Sequence, residues 1–273
     1  YIRKHIEEDY FYQTLKRLKK YGPCLSMDEV VLHKNKNIPY PPNSFVITFD
    51  DGFENNYTVA APILDALNLP AIFYITTEFV ENNSMSWTDR IEFGLENISN
   101  SFNEIHLPWN NEKIKLSTIE NKTLFMKSLR SRIFDENIAD TEKIVDWFFE
   151  TTKMEKIISS DDELDKKISW EQLVKLNGNS LFEIGGHTHT HKILSYLSPN
   201  ELDFEIKHCL ELLFRKAKIN AKHFAYPQGQ ANHYNSLVID NLKNRGILSC
   251  PTAINGVNYE DVDLFELKRK IVT

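Results

Sequence analysis

Short, almost wholly apolar runs alternate along this chain with segments of helical period, and that alternation limits the fold more than any other feature. The runs Phe45–Phe49, Ala71–Ile75, Leu181–Ile184, His223–Tyr226, Leu248–Ile254 and Arg269–Val272 have the length and residue types of strands. Between them lie stretches such as Tyr57–Leu67, which places Val59, Ile63, Leu64 and Leu67 on one helical face. Strands separated by helices pair in parallel, and helices then cover the sheet. A covered strand is apolar on both faces, which is why these runs are continuous rather than alternating. At 273 residues the chain is long enough to form one α/β domain of barrel size.

Two helix starts are well marked. Ser198-Pro199-Asn200-Glu201 offers a capping Ser, Pro at the first helical position and a Glu to complete the box, ahead of Leu202, Ile206, Leu210 and Leu213. Ser169-Trp170-Glu171-Gln172 repeats the pattern and runs to Asn177-Gly178. The stretch from about 81 to 165 is different, being rich in Asn, Glu, Lys and Ser with helical patches at Thr123–Ile133 and Glu142–Glu150. It reads as a helical insertion inside a single domain spanning 1–273.

A net charge of -7 argues against nucleic acid or an anionic membrane surface as partner. No apolar run reaches the ~20 residues of a membrane span. Cys24, Cys209 and Cys250 form no Cys-x-x-Cys pair, so neither a disulfide scaffold nor a thiolate zinc knuckle is expected. This usage favours a reducing, cytoplasmic setting and leaves a periplasmic or cell-surface one open. The chain opens on Tyr1 rather than Met, which leaves room for an upstream segment. Oligomeric state is not legible here.

The residues that carry chemistry stand where these runs end. Phe45–Phe49 leads straight into Asp50-Asp51-Gly52. Neighbouring strand residues point to opposite sides, so both carboxylates can enter one cleft only if the strand has ended, and Gly52 supplies the expected break. Two carboxylates this close repel unless a cation lies between them. Helix capping by either Asp is the structural alternative. Leu181–Ile184 leads through Gly185-Gly186 into His187-Thr188-His189-Thr190-His191. If that segment is extended, His187, His189 and His191 share a side; if helical, His187 and His191 share a face. Spacing does not choose between them. Two His and one Asp would make a three-ligand site with open positions, the pattern of a catalytic metal. The remaining carboxylate would act as base. A third cluster, His223-Phe224-Ala225-Tyr226-Pro227-Gln228-Gly229, is by itself an aromatic strand followed by a turn.

Together these segments resemble the polysaccharide deacetylases of carbohydrate esterase family 4. Thr48-Phe49-Asp50-Asp51-Gly52 is similar to the family's T-F-D-D-G motif, His187 to His191 to its H-[S/T]-x-x-H, and Phe224-Ala225-Tyr226-Pro227 to its Y-P segment. Ser169-Trp170-Glu171-Gln172 stands where such enzymes carry a tryptophan-started helix. The resemblance implies a distorted (β/α)7 barrel with its active site at the C-terminal strand ends. It implies one divalent metal ion on Asp51, His187 and His191, with zinc favoured and cobalt or nickel also suited. It makes Asp50 the general base and gives the Tyr226 backbone N–H to the oxyanion.

Two departures stand out. The family's third motif usually opens with an Arg that orients the base, and His223 occupies that place. The L-x-H motif that supplies a histidine acid is matched only by Leu267-Lys268-Arg269, and Arg is a poor proton donor. The expectation is an exchange of roles, with Arg269 pairing with Asp50 and His223 lying near the leaving group. No counterpart of the family's opening strand is legible ahead of the helix expected at Ile6–Tyr21; that strand either lies upstream of Tyr1 or is not present. Tyr226 and Trp87 are candidates to stack on sugar faces, with core packing as the alternative for Trp87. The implied function is metal-dependent removal of an N-acyl group, acetyl first, from an amino sugar in a glycan or glycolipid. The alternatives are O-acetyl ester hydrolysis on a polysaccharide and non-catalytic glycan binding on a degenerate deacetylase scaffold.

Overall fold

The computed structural model describes residues 5–99 and 102–272, which form two compact units. The larger runs from His5 to Ser84 and resumes at Asp161; the smaller is Met85–Ser160. In chain order the elements are helices α1 (Glu8–Tyr21) and α2 (Met27–Asn35), strand β1 (Thr48–Phe49), α3 (Ala61–Leu67), β2 (Ala71–Ile75) and α4 (Thr77–Asn82). The smaller unit contributes α5 (Trp87–Asn97), β3 (Glu104–His106), β4 (Lys113–Lys115), α6 (Ile119–Asp135) and α7 (Glu142–Thr152). The chain then gives α8 (Trp170–Asn177), β5 (Phe182–Gly186), α9 (Pro199–Ala217) and α10 (Ser236–Asn244).

The larger unit is built on a parallel sheet of order β1-β2-β5. Every residue of the central strand, Ala71-Ile72-Phe73-Tyr74-Ile75, is buried, as a strand covered on both faces requires. Register fixes where the neighbours end. Phe49 lies beside Phe73, and Gly186 lies beside Ile75, so the residues after β1 and after β5 leave the sheet at the same end. The runs expected at 223–226, 248–254 and 269–272 appear only as single parallel bridges, Gly186 to Phe224, His223 to Ser249 and Asn255 to Arg269. Pro227 and Pro251 have no N–H to give a ladder. Among the described residues the paired strands do not close into a barrel; the fold is mixed α/β on an open parallel sheet.

Local sequence accounts for the helices. Ser169 and Gln172 exchange both bonds of a capping box at α8. At α9, Glu201 accepts from the Ser198 amide and hydroxyl at 2.9 and 2.6 Å. The segment read as one helix, Tyr57–Leu67, starts instead as a widened turn over Asn56–Ala60 before α3. Pro62 has no N–H to give the Thr58 carbonyl, which explains the irregular entry. The smaller unit is not purely helical, since β3 and β4 pair as an antiparallel hairpin. Its core includes Ile91, Leu95, Ile105, Phe125, Leu129, Val145 and Phe148.

Candidate active site

β1 ends at Phe49, and the next three residues make a very tight turn. The Gly52 N–H donates to the Asp50 carbonyl at 3.0 Å, with Asp51 at φ +73° and Gly52 at φ +80°. The break is therefore taken by Asp51 as well as by Gly52, where the sequence had pointed to Gly52 alone. A left-handed Asp costs on the order of 1 kcal/mol and survives only where its surroundings fix it. Here the turn sends the two carboxylates to different partners.

Asp51 faces the loop that follows β5. Its Oδ1 lies 3.5 Å from His187 Nε2 and 3.2 Å from His191 Nε2, and all three side chains are buried. His187 Nδ1 is 2.8 Å from the Ala225 carbonyl, which can only accept, so Nδ1 carries the hydrogen and Nε2 is left facing Asp51. The segment 187–191 is neither extended nor helical. Thr188 and His191 both have positive φ, +67° and +60°, and the Thr188 hydroxyl accepts from the His191 amide at 2.9 Å. This fold-back brings His191 to His187 and turns His189 away, with its Nδ1 3.0 Å from the Thr77 hydroxyl and its ring against Phe204 and His208.

One carboxylate and two imidazole ligand atoms thus lie within 4.8 Å of one another, a donor set suited to one divalent ion. The electrostatics agree with the donor set. Burial opposes charge on His187, yet the charges of Asp50 and Asp51 overcome it and hold the imidazole above its ordinary range. The pocket favours a cation between these groups.

Asp50 faces the other way. Arg269 Nη1 and Nη2 donate to its two oxygens at 2.8 and 2.9 Å, a two-pronged pair. Arg269 is itself fixed, Nε donating to the Thr252 carbonyl at 2.6 Å and Nη1 to the Thr48 hydroxyl at 3.2 Å. Burial pushes the Asp50 pKa up, but the charges of Arg269 and His187 and the Arg269 hydrogen bonds outweigh it and hold the carboxyl below its usual range.

His223 is not brought to this group. Its Nδ1 is 2.8 Å from the Ser249 hydroxyl, and its Nε2 is 3.1 Å from Asp28 and 3.9 Å from Glu183. Glu183 precedes His187 by four residues, about 13 Å at ~3.3 Å per strand residue, so His223 lies toward the far end of β5. The reason is register, because residue 223 opens its extended run and pairs with Ser249 rather than ending at the cleft. Asp28, Glu183 and His223 also converge within 4.8 Å. Each is already engaged, Glu183 accepting the Met27 and Asp28 amides at 2.7 and 2.8 Å and Asp28 pairing with Lys222 at 3.0 Å. That cluster docks the start of α2.

Neither proposed sugar-stacking ring is available. Tyr226 is 1% exposed, stacks on Tyr234 and donates its hydroxyl to the Phe265 carbonyl at 3.1 Å. Its amide makes only a long, 3.4 Å bond to the Pro251 carbonyl. Trp87 is buried in the core of the smaller unit, at the first turn of α5 behind a Ser86–Asp89 capping box. Glu205 had no part in the sequence reading, although a carboxylate on the apolar face of α9, between Leu202 and Cys209, was the available signal.

The sequence profile of polysaccharide deacetylases matches residues 37–248, most of the chain. The chain belongs to the polysaccharide deacetylase family. Solved structures with a similar fold include the Streptococcus pyogenes deacetylase PplD in complex with acetate, 18% identical over 97% of this chain and 80% of that one, at a TM-score of 0.60. IcaB from Ammonifex degensii is 17% identical over 100% of this chain and 87% of its own, at 0.61. A de-N-acetylase from Aggregatibacter actinomycetemcomitans is 16% identical over 100% and 87%, at 0.60. No curated protein sequence is significantly similar to the chain. Family membership supports hydrolytic deacetylation of glycans. No helix among the described residues is long and apolar enough to cross a membrane.

Proposed function

We propose that this deacetylase hydrolyses an N-acyl group, acetyl in the first instance, from an amino sugar in a glycan or glycolipid. The observation that carries the reading is the division of the acidic pair, Asp51 toward His187 and His191 and Asp50 toward Arg269. Asp51, His187 and His191 would hold a divalent ion, zinc most readily, with cobalt or nickel also suited to these donors. When bound, such an ion polarises a carbonyl and lowers the pKa of water.

The chain's own groups supply the rest. Asp50 is kept ionised by Arg269, so it accepts the proton of the attacking water, and Arg269 fixes its two oxygens while it does so. The same proton is the one the departing amine needs, and acetate leaves as the second product. The Tyr226 amide, held only by a long bond, is the backbone donor offered to the oxyanion. We assign this chemistry to the larger unit, built on its open parallel sheet, and treat 85–160 as an insertion into it.

The test compares acetate release from N-acetylated chito-oligomers and from acetylated xylan, with metal analysis beside an Asp51→Ala control. Release from the chito-oligomers alone supports the amide reading. Release from xylan alone moves the activity to esters. Glycan binding that survives Asp50→Asn, with no release from either substrate by the parent chain, would make this a binding protein.

A further inference from the structure

The loop 187–191 carries two of the three candidate ligands on a backbone that no ordinary sequence preference favours. Thr188 and His191 are both left-handed without being glycine, at a cost on the order of 1 kcal/mol each. Something must hold it. Its carbonyl side is bolted to the start of α4: the Thr76 hydroxyl donates to the His187 carbonyl at 3.0 Å, and the Thr77 and Glu78 amides donate to the Thr188 and His189 carbonyls at 3.3 and 2.9 Å. Its amide side converges on one residue, Glu205 of α9. Oε2 accepts the His189 and Thr190 amides at 3.0 and 2.8 Å, Oε1 accepts the Thr190 hydroxyl at 2.5 Å, and the Glu205 carbonyl is 3.1 Å from the same His189 amide. Glu205 is 2% exposed and stands among Leu202, Ile206 and Cys209.

A carboxylate is costly to bury, and three donors from a single five-residue loop satisfy this one. We infer that Glu205 is a positioning residue for the metal site: it locks the fold-back that aims His191 at Asp51 and His187 without touching any of the three. The inference rests on the proposed metal reading, and it has a readout other than turnover. Partners that orient ligands from behind typically change metal affinity 10- to 100-fold when lost.

The experiment is Co2+ titration of the metal-stripped protein, followed by its visible absorption spectrum and by competition with Zn2+. Glu205→Gln keeps the shape but removes the charge and leaves one acceptor oxygen where three donors converge; it should raise the Co2+ Kd at least 10-fold and alter the spectrum. Glu211→Gln, exposed on the same helix, should change neither. A merely structural loss would lower thermal stability yet leave the Kd of the folded protein at the parent value, and that result overturns the proposal. If Glu205→Gln does not fold, Thr190→Val carries the test, with a smaller rise in Kd expected and an unchanged Kd overturning it. No metal uptake by the parent chain defeats the metal reading and this inference together, whereas uptake by the parent with an unaltered Kd in the variants defeats only the inference.

Discussion

Replacing Arg269 is the most direct test of how Asp50 works. The guanidinium makes two charge-assisted bonds to Asp50, at 2.8 and 2.9 Å, and the Asp50 side chain is 30% exposed. Bonds to charged groups are worth about 1.5–3 kcal/mol, and the exposure places these at the low end, about 3 kcal/mol for the pair. At ~1.4 kcal/mol per decade, Arg269→Met should lower kcat about 100-fold with little change in KM, since Arg269 is placed to act through Asp50 rather than on substrate. Arg269→Lys keeps the charge and one bond but loses the fork, so a loss of about 10-fold is expected. The deciding assay is a double-mutant cycle on acetate release. Asp50→Asn alone should cost about 10²- to 10⁴-fold, the range of a general base. In that background Arg269→Met should cost less than about 3-fold more, because the group it served is gone. A further 100-fold loss on top of Asp50→Asn would refute the argument and place Arg269 on the substrate or the oxyanion.

Other outcomes are expected. Asp51→Ala should abolish stoichiometric metal binding, as metal analysis of purified protein would show; full occupancy would move the site elsewhere. His223→Ala should leave turnover within about 3-fold of the parent while lowering stability by about 2 kcal/mol, because it strips a buried partner from Asp28 and Ser249; loss of kcat without loss of stability would contradict its placement. Burial holds the His233 pKa down to about 4, although the Gln228 backbone acts to raise it, so the unfolded chain takes this proton more readily. Its contribution is complete above about pH 6.5 and lost as pH falls toward 4, on the order of 2 kcal/mol. Urea unfolding at pH 7 and 4.5 should show a smaller difference in His233→Gln than in the parent. Gly186→Ala would put a Cβ 2.5 Å from the Phe224 ring and should destabilise by about 1–3 kcal/mol, checked by thermal melting.

Much of the site was legible because its residues sit next to strand ends, where sequence and space coincide. Asp51, His187 and His191 were named as candidates from two short motifs and a resemblance, and the structure brings their ligand atoms together. Roles that depended on which end of a run faces the cleft were not legible. His223 and Tyr226 belong to one extended run, and nothing local says that its first residue faces away or that the tyrosine ring is buried against Tyr234. Sequence left Trp87 open between sugar stacking and core packing, because the core it joins includes Ile105, Phe125 and Phe148, distant in sequence. The hairpin of β3 and β4 went unseen since each strand is only three residues long.

By itself, then, the sequence determined the class of fold and the chemistry available, through apolar continuity, helix caps and two clusters of ligand-type residues. The tertiary structure alone supplied the long-range contacts, including the Arg269–Asp50 pair that the family resemblance had led one to expect. Arg269 meets Asp50 across more than two hundred residues, and Glu205 reaches back to the histidine loop from the next helix. Local sequence preferences act over a few residues, whereas these contacts are set by the register of parallel strands and the packing of α9, which only the folded chain supplies.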